Sequence, residues 1–289
     1  MDFADEIKRR ISEFEFVEGV TPLSTWHTPV VAAGTYLSTL ALCKRYVAQR
    51  GKPFDKELTA VVVFHNLFLS AGSLLLLVAL VYQLTKDALT LNQGPFTSVY
   101  EIYCDRNTLF AKGPLIFVYY VNYLFKFYEM GDTVLLCLRG KPTPFLHVYH
   151  HAATLALCWS QLLTHSTVQW VPILLNLTIH VVMYYYYAVA SMGQSPWWKK
   201  YLTTGQIIQF VIDVVVCSYA TARKYLYVYS NGANPWGENC GGNLAGAFFG
   251  TGLLFSYLVL FIQLYVGMYM KKGGKDAKKV AKKRSRKAE

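Results

Sequence analysis

Charge is what this chain has least of. Asp, Glu, Lys and Arg make up 16% of its 289 residues, against 54% hydrophobic residues. A soluble domain needs a charged, hydrated surface, so this shortage excludes one and points to a polytopic membrane protein. Acids are scarcer still, 17 against 28 Lys and Arg. An apolar leader is also missing. The first 22 residues mix acids and bases without an apolar core, which argues against a cleavable signal peptide. No internal repeat or low-complexity stretch occurs apart from a basic tail. That tail has no aromatic residues among its bases and no binding fold beside it, so a nucleic-acid role is not expected. Histidine numbers only seven.

Apolar runs, by contrast, are plentiful. A window of about 19 residues finds seven stretches of spanning length, at 23–43, 58–84, 113–138, 145–164, 168–192, 203–225 and 245–270. The fourth and fifth are joined by a short uncharged turn, Thr164 to Thr167, so a single re-entrant hairpin is the alternative there. The expected organisation is a lumenal segment 1–22, a membrane domain 23–270 and a cytosolic tail 271–289.

Basic residues choose the orientation. With the C-terminus cytosolic, nineteen Lys and Arg fall on the inside and eight on the outside, with Lys126 mid-span. The tail serves as a stop-transfer segment beside anionic headgroups. Its last residues resemble a dilysine-type retrieval signal, with Lys287 third from the end and Arg286 beside it, which points to the endoplasmic reticulum. Only Cys104 and Cys240, of six cysteines, lie in outside loops. An oxidising lumen permits them to pair; two free thiols are the alternative.

Polar residues inside the spans are few but patterned. Lys126, Glu129 and Thr133 follow one another at i+3 and i+4, with Asp132 beside them, and an unpaired Lys126 in hydrocarbon is costly, so Glu129 is its expected partner. His147, His150 and His151 share one helix face. Asn176, His180, Met183, Tyr184 and Tyr187 form a stripe on the fifth span, and Gln206, Gln209 and Asp213 one on the sixth. At about 1.5 Å per residue, Asp132, His151, Tyr187 and Gln209 lie about 8–9 Å from the cytosolic ends of their spans. Glu129, Lys126, His180 and Asp213 form a tier at about 14–18 Å. The stripes converge in the cytosolic half of the membrane. His27, His65 and His165 lie outside them and read as structural or interfacial.

Several chemistries use such a cluster. A non-haem di-iron oxygenase has about eight histidine ligands in its boxes, more than this chain holds. A seven-span zinc hydrolase could use His147, His151 and His180 with Asp132 or Glu129 as base. A transporter or receptor with a buried polar site is the non-enzyme alternative. A metal-free reaction on a thioester, with histidine as base or nucleophile, is the third enzyme class.

For that last class the motifs decide. Lys126-Phe-Tyr-Glu129-Met-Gly-Asp132-Thr133, His147-Val-Tyr-His150-His151, His180-Val-Val-Met183-Tyr184-Tyr185-Tyr186-Tyr187 and Thr203-Thr-Gly-Gln206-Ile-Ile-Gln209 follow in order. They resemble the K-x-x-E-x-x-D-T, H-x-x-H-H, H-x-x-M-Y-x-Y-Y and T-x-x-Q-x-x-Q boxes of the ELO family of very-long-chain fatty acid elongases. The resemblance covers roughly residues 25–270, includes Trp197-Trp198-Lys199-Lys200, and is similar to the fungal branch.

The resemblance implies an all-helical fold with the last six of seven helices around a narrow acyl-chain tunnel and the first outside. It implies condensation of an acyl-CoA with malonyl-CoA, releasing carbon dioxide and CoA, to give a 3-ketoacyl-CoA, with no cofactor. The decarboxylated enolate needs cationic or hydrogen-bond stabilisation, which Lys126, Asn176, Gln206, Gln209 and a protonated histidine can give, with Tyr184 and Tyr187 beside the substrate. Cys158 belongs to no box, so the expected nucleophile is an imidazole, His150, with His180 opposite, His147 or His151 holding its tautomer, and Glu129 and Asp132 orienting histidines. Arg139, Lys141, Lys199 and Lys200 at the cytosolic rim either face CoA phosphates or carry only the positive-inside signal. Arg223 and Lys224 lie about 22 Å beyond His150 along the helix axis and are the candidate chain-length stop, with simple snorkelling to the interface as the alternative. The bilayer, a second copy of the chain, and the ketoacyl reductase, dehydratase and enoyl reductase of the elongation cycle are the candidate partners.

Overall fold

The computed structural model describes residues 3–91, 95–105 and 112–270; the basic tail and its retrieval-type ending lie outside them. Among the described residues the regular structure is helical: α1 (Phe3–Ser12), α2 (His27–Arg50), α3 (Thr59–Thr90), α4 (Pro95–Cys104), α5 (Pro114–Leu138), α6 (Phe145–Leu163), α7 (Trp170–Ser191), α8 (Lys199–Tyr229) and α9 (Leu244–Tyr265). A 3₁₀ turn, Thr167–Gln169, leads into α7, and a π turn, Val266–Met270, ends α9. Each expected apolar stretch coincides with one long helix. The two ten-residue helices, α1 and α4, are too short for a spanning window to register. In α1, Glu6 pairs with Arg9 and Arg10 one turn on.

Among the described residues, four helical segments are long and apolar enough to cross a membrane: Thr59–Thr90, Thr167–Ser191, Lys199–Tyr229 and Leu244–Met270. The protein is therefore multi-pass. The other three long helices fall short of that apolarity for visible reasons. Lys126, Glu129 and Asp132 interrupt α5, three histidines open α6, and Thr, Ser and Gly are scattered through α2. Separate helices of 19 and 22 residues, α6 and α7, stand where the hairpin was the alternative.

Packing closes six helices on one another. α5 lies against α3 and α6, α3 against α7, α7 against α8, α8 against α9, and α9 against α6, while α2 packs outside on α5 and α6. The larger buried cluster sits among α2, α3, α5, α6 and α7 and includes Tyr36, Leu80, Tyr119, Tyr123, Leu155 and Leu177. Between α6, α8 and α9 the cluster is small, Phe210, Cys217, Leu254 and Tyr257, because those helices line a cavity.

Helices in lipid gain little from apolar burial against each other, so close packing has to hold them. Gly246 and Gly250 of α9 supply it against α6. A Cβ on Gly246 would lie 2.3 Å from Thr164 Oγ1, and one on Gly250 3.0 Å from Gln161 Nε2. The Gln161 amide also donates to the Gly246 carbonyl at 3.0 Å. At the same end, Cys104 and Cys240 are disulfide-bonded, tying α4 to the loop before α9. Gly246→Ala should lower the unfolding midpoint of detergent-solubilised protein by an amount worth about 1–3 kcal/mol, the usual cost of overpacking. Gly252→Ala, which meets nothing within 4 Å, should leave it unchanged.

Candidate active site

A lysine survives inside α5 because its charge is fully answered. Lys126 Nζ donates to Glu129 Oε1 at 2.8 Å, one turn away, and to Asn176 Oδ1 of α7 at 3.0 Å. Asn176 Nδ2 lies 3.1 Å from His180 Nε2, one turn along α7. His180 Nδ1 lies 3.4 Å from the same Glu129 oxygen, without hydrogen-bond alignment. The four side chains form a closed loop across α5 and α7. Lys126 and Glu129 are each 2% exposed, so neither charge has water as a substitute partner.

One turn further along α5, Asp132 collects a second set. Tyr184 donates to its Oδ2 at 2.8 Å, and His65 of α3 bonds its Oδ1. His151 Nε2 lies 3.7 Å from Oδ2. The histidine triplet of α6 is compact, with the His147 and His151 rings 4.6 Å apart and those of His150 and His151 5.5 Å apart. His150 turns the other way, toward Tyr257 and Phe261 of α9, at ring distances of 5.0 and 6.4 Å.

His150 faces a narrow cavity of about 100 Å³. Lys126, Asn176 and Gln209 line it beside His150; Asn122, Thr154, Cys158, Phe210 and Asp213 follow, and Lys224 with Cys240–Asn243 lies at its other end. The arrangement offers an imidazole, an ammonium and amide groups at the head of a passage walled mainly by apolar atoms. It suits a ligand with a reactive polar head and a long apolar body.

A shared metal ion needs ligand atoms close together. Among the described residues the group that meets this spacing is Cys104, Glu238 and Cys240, whose two sulfurs are joined to each other. His147, His151 and His180 do not approach one another that way. The geometry therefore disfavours the zinc-hydrolase alternative.

The model of the ELO family, described as GNS1/SUR4, matches residues 21–277. The chain belongs to the ELO family. A Schizosaccharomyces pombe protein provisionally assigned as fatty acid elongase 1 is 39% identical over 252 residues, 86% of this chain and 71% of its own. Fatty acid elongase A of Dictyostelium discoideum is 34% identical over 259 residues, 90% and 89% of the two chains. Fatty acid elongase 2 of Trypanosoma brucei brucei is 32% identical over 207 residues, 70% of this chain and 72% of its own.

All four boxes of this ELO chain lie on α5 to α8, yet their residues do not all meet. Gln209 lines the cavity and donates to Asp213 Oδ2 at 3.4 Å, whereas Gln206 donates to Met183 Sδ away from it. Tyr184 is fully buried on Asp132, while Tyr187 is 40% exposed. Arg139 bonds Asp55 Oδ1 at 2.8 Å and Lys141 bonds Oδ2 at 3.0 Å. Lys141, then Arg139, hold the Asp55 carboxyl below the ordinary carboxylate range. Lys199 and Lys200 are exposed at the start of α8. Of the adjacent pair Arg223 and Lys224, only Lys224 lines the cavity, its Nζ bonding Asn239 Oδ1 and the Cys240 carbonyl. Arg223 bonds Glu238 at 2.7 Å instead.

Sequence reasoning passed over Asn122, Thr154 and Tyr257 as cavity residues, and His65 as a partner of Asp132. A neutral polar residue in a span gives little signal, since most serve as interhelical hydrogen-bond groups. Lys126→Met strands Glu129 as an uncompensated buried charge and should cost about 3–5 kcal/mol of stability. Lys126→Met with Glu129→Leu should recover most of that loss, read as the detergent unfolding midpoint.

Proposed function

We propose that this protein is the condensing enzyme of fatty acid elongation, a 3-ketoacyl-CoA synthase. The observation that carries the proposal is the position of His150 at the head of an elongated cavity, beside Lys126, Asn176 and Gln209. Family membership and the elongase relatives support the same assignment.

The reaction runs in two halves. A His150 ring nitrogen attacks the acyl thioester carbonyl, the C–S bond breaks, and CoA leaves as thiolate, giving an acyl-imidazole in its protonated, acylimidazolium form with the other ring nitrogen keeping its proton. Malonyl-CoA then loses carbon dioxide, and its enolate attacks the acyl carbon while the imidazole leaves. Lys126, Asn176 and Gln209 stabilise the enolate oxygen. His147 and His151 hold the tautomer of His150. CoA rests at the cytosolic rim near Arg139, Lys199 and Lys200, and no cofactor or metal takes part.

The acyl chain runs from His150 toward Lys224. From Gln209 to Lys224 the α8 axis rises about 22 Å, which suits a chain in the upper teens of carbons. All seven long helices span the membrane, α3 and α5 to α9 enclose the acyl tunnel, and the first, α2, packs outside. The N-terminus is lumenal and the C-terminus cytosolic, in the endoplasmic reticulum, where the reductases and dehydratase of the cycle act on the product.

Purified protein supplied with malonyl-CoA and a series of acyl-CoAs should release one 3-ketoacyl-CoA two carbons longer, with or without chelator, as read by mass spectrometry. Failure to form it removes the proposal. His150→Ala should abolish the acyl-enzyme adduct seen in intact-protein mass spectra; an adduct that persists in that variant removes the acyl-imidazole. Lys224→Leu should shift products to longer chains, because a methyl terminus no longer meets a hydrated cation, whereas Arg223→Leu should leave chain length unchanged.

A further inference from the structure

His65 lies in none of the four boxes and on none of the helices that carry them. Its α3 is an apolar helix packed against α5 and α7. Yet its side chain is only 8% exposed, and its Nε2 meets Asp132 Oδ1. The ring has little freedom to turn. On one side it stacks on Tyr128 at 4.8 Å and 30°. On another, its Cε1 is 3.4 Å from where a Cβ of Gly131 would lie.

The carboxylate it grips stands within ion-pair distance of the triplet's His151. With Oδ1 on His65 and Oδ2 on Tyr184, the plane of the Asp132 carboxylate is set by partners on two different helices. That setting leaves Oδ2 3.7 Å from His151 Nε2. His151 in turn stands between His147 and His150. Removing His65 frees Oδ1, and a carboxylate held through a single oxygen can rotate away from His151.

We propose that His65 is a positioning residue for the condensation reaction, acting through Asp132 to hold the His147–His150–His151 triplet in its reactive orientation. The proposal rests on the function assigned above. It requires no contact between His65 and either substrate. Its Nε2 is committed to Asp132, and neither His65 nor Asp132 lines the cavity. Loss of the histidine therefore slows the chemical step and spares binding.

The test is kinetic, on the full-length protein in detergent or vesicles. His65→Leu should lower kcat by about 10- to 100-fold, the range typical of a lost outer partner that orients a reactive histidine. KM for malonyl-CoA and for acyl-CoA should stay within about twofold of wild type, since His65 touches neither. His65→Gln, which keeps a donor able to reach Asp132, should recover most of the loss. The decisive measurement is the cycle with Asp132→Asn: adding His65→Leu to that variant should cost nothing further, because the route runs through the carboxylate. An equal loss in both backgrounds overturns the proposal, as does wild-type kcat in His65→Leu. Should His65→Leu fail to fold, His65→Gln and His65→Asn alone and with Asp132→Asn give the same comparison. Wild-type protein that forms no 3-ketoacyl product refutes the assigned function; product formation with additive losses refutes only the role of His65.

Discussion

The buried pair of Lys126 and Glu129 is the constraint on which the rest of the structure depends. Two charges 2.8 Å apart on α5, each only 2% exposed, have no water to satisfy their remaining valences, so neighbouring helices must do so. α7 answers with Asn176, whose Oδ1 accepts from Lys126, and sets His180 Nδ1 3.4 Å from the Glu129 carboxylate. Those two residues stand one turn apart, and the match between one turn of α5 and one turn of α7 fixes how the helices are set against each other. Once that register is set, Asp132 comes within reach of Tyr184, and the polar groups accumulate at one end of the bundle.

The opposite end is held by different means. There the helices are fastened by a disulfide from α4 to the loop before α9, by glycines that let α9 approach α6, and by Lys224 bonded to the Cys240 carbonyl. Between the two ends the packing of α6, α8 and α9 is left incomplete, and the cavity occupies that gap. A passage with charge and imidazole at its head and apolar walls beyond separates the task of reacting from the task of measuring length, which is the division the proposed elongation chemistry needs.

Much of this was legible in the residues. Charge inside an apolar stretch is rare enough that Lys126, Glu129, Asp132 and the histidine triplet stand out, and helical spacing puts each set on one face. Arg223 and Lys224 show where such reasoning stops. Adjacent residues on a helix point about 100° apart, and nothing in the local sequence says which of them faces the cavity; only the position of α8 between α7 and α9 sends Lys224 inward and Arg223 to Glu238. Gln206 and Gln209, three residues apart, part company in the same way, one to Met183 and one to the cavity.

The sequence by itself determined membrane class, helix positions, the family and the set of candidate polar side chains, because those follow from composition and from contacts within a single helix turn. Tertiary structure alone decided which side chains share a cavity and that His65, on a helix without a box, completes the Asp132 site. Contacts between helices distant in sequence depend on rotation and tilt about each axis, and a one-dimensional pattern carries no record of either.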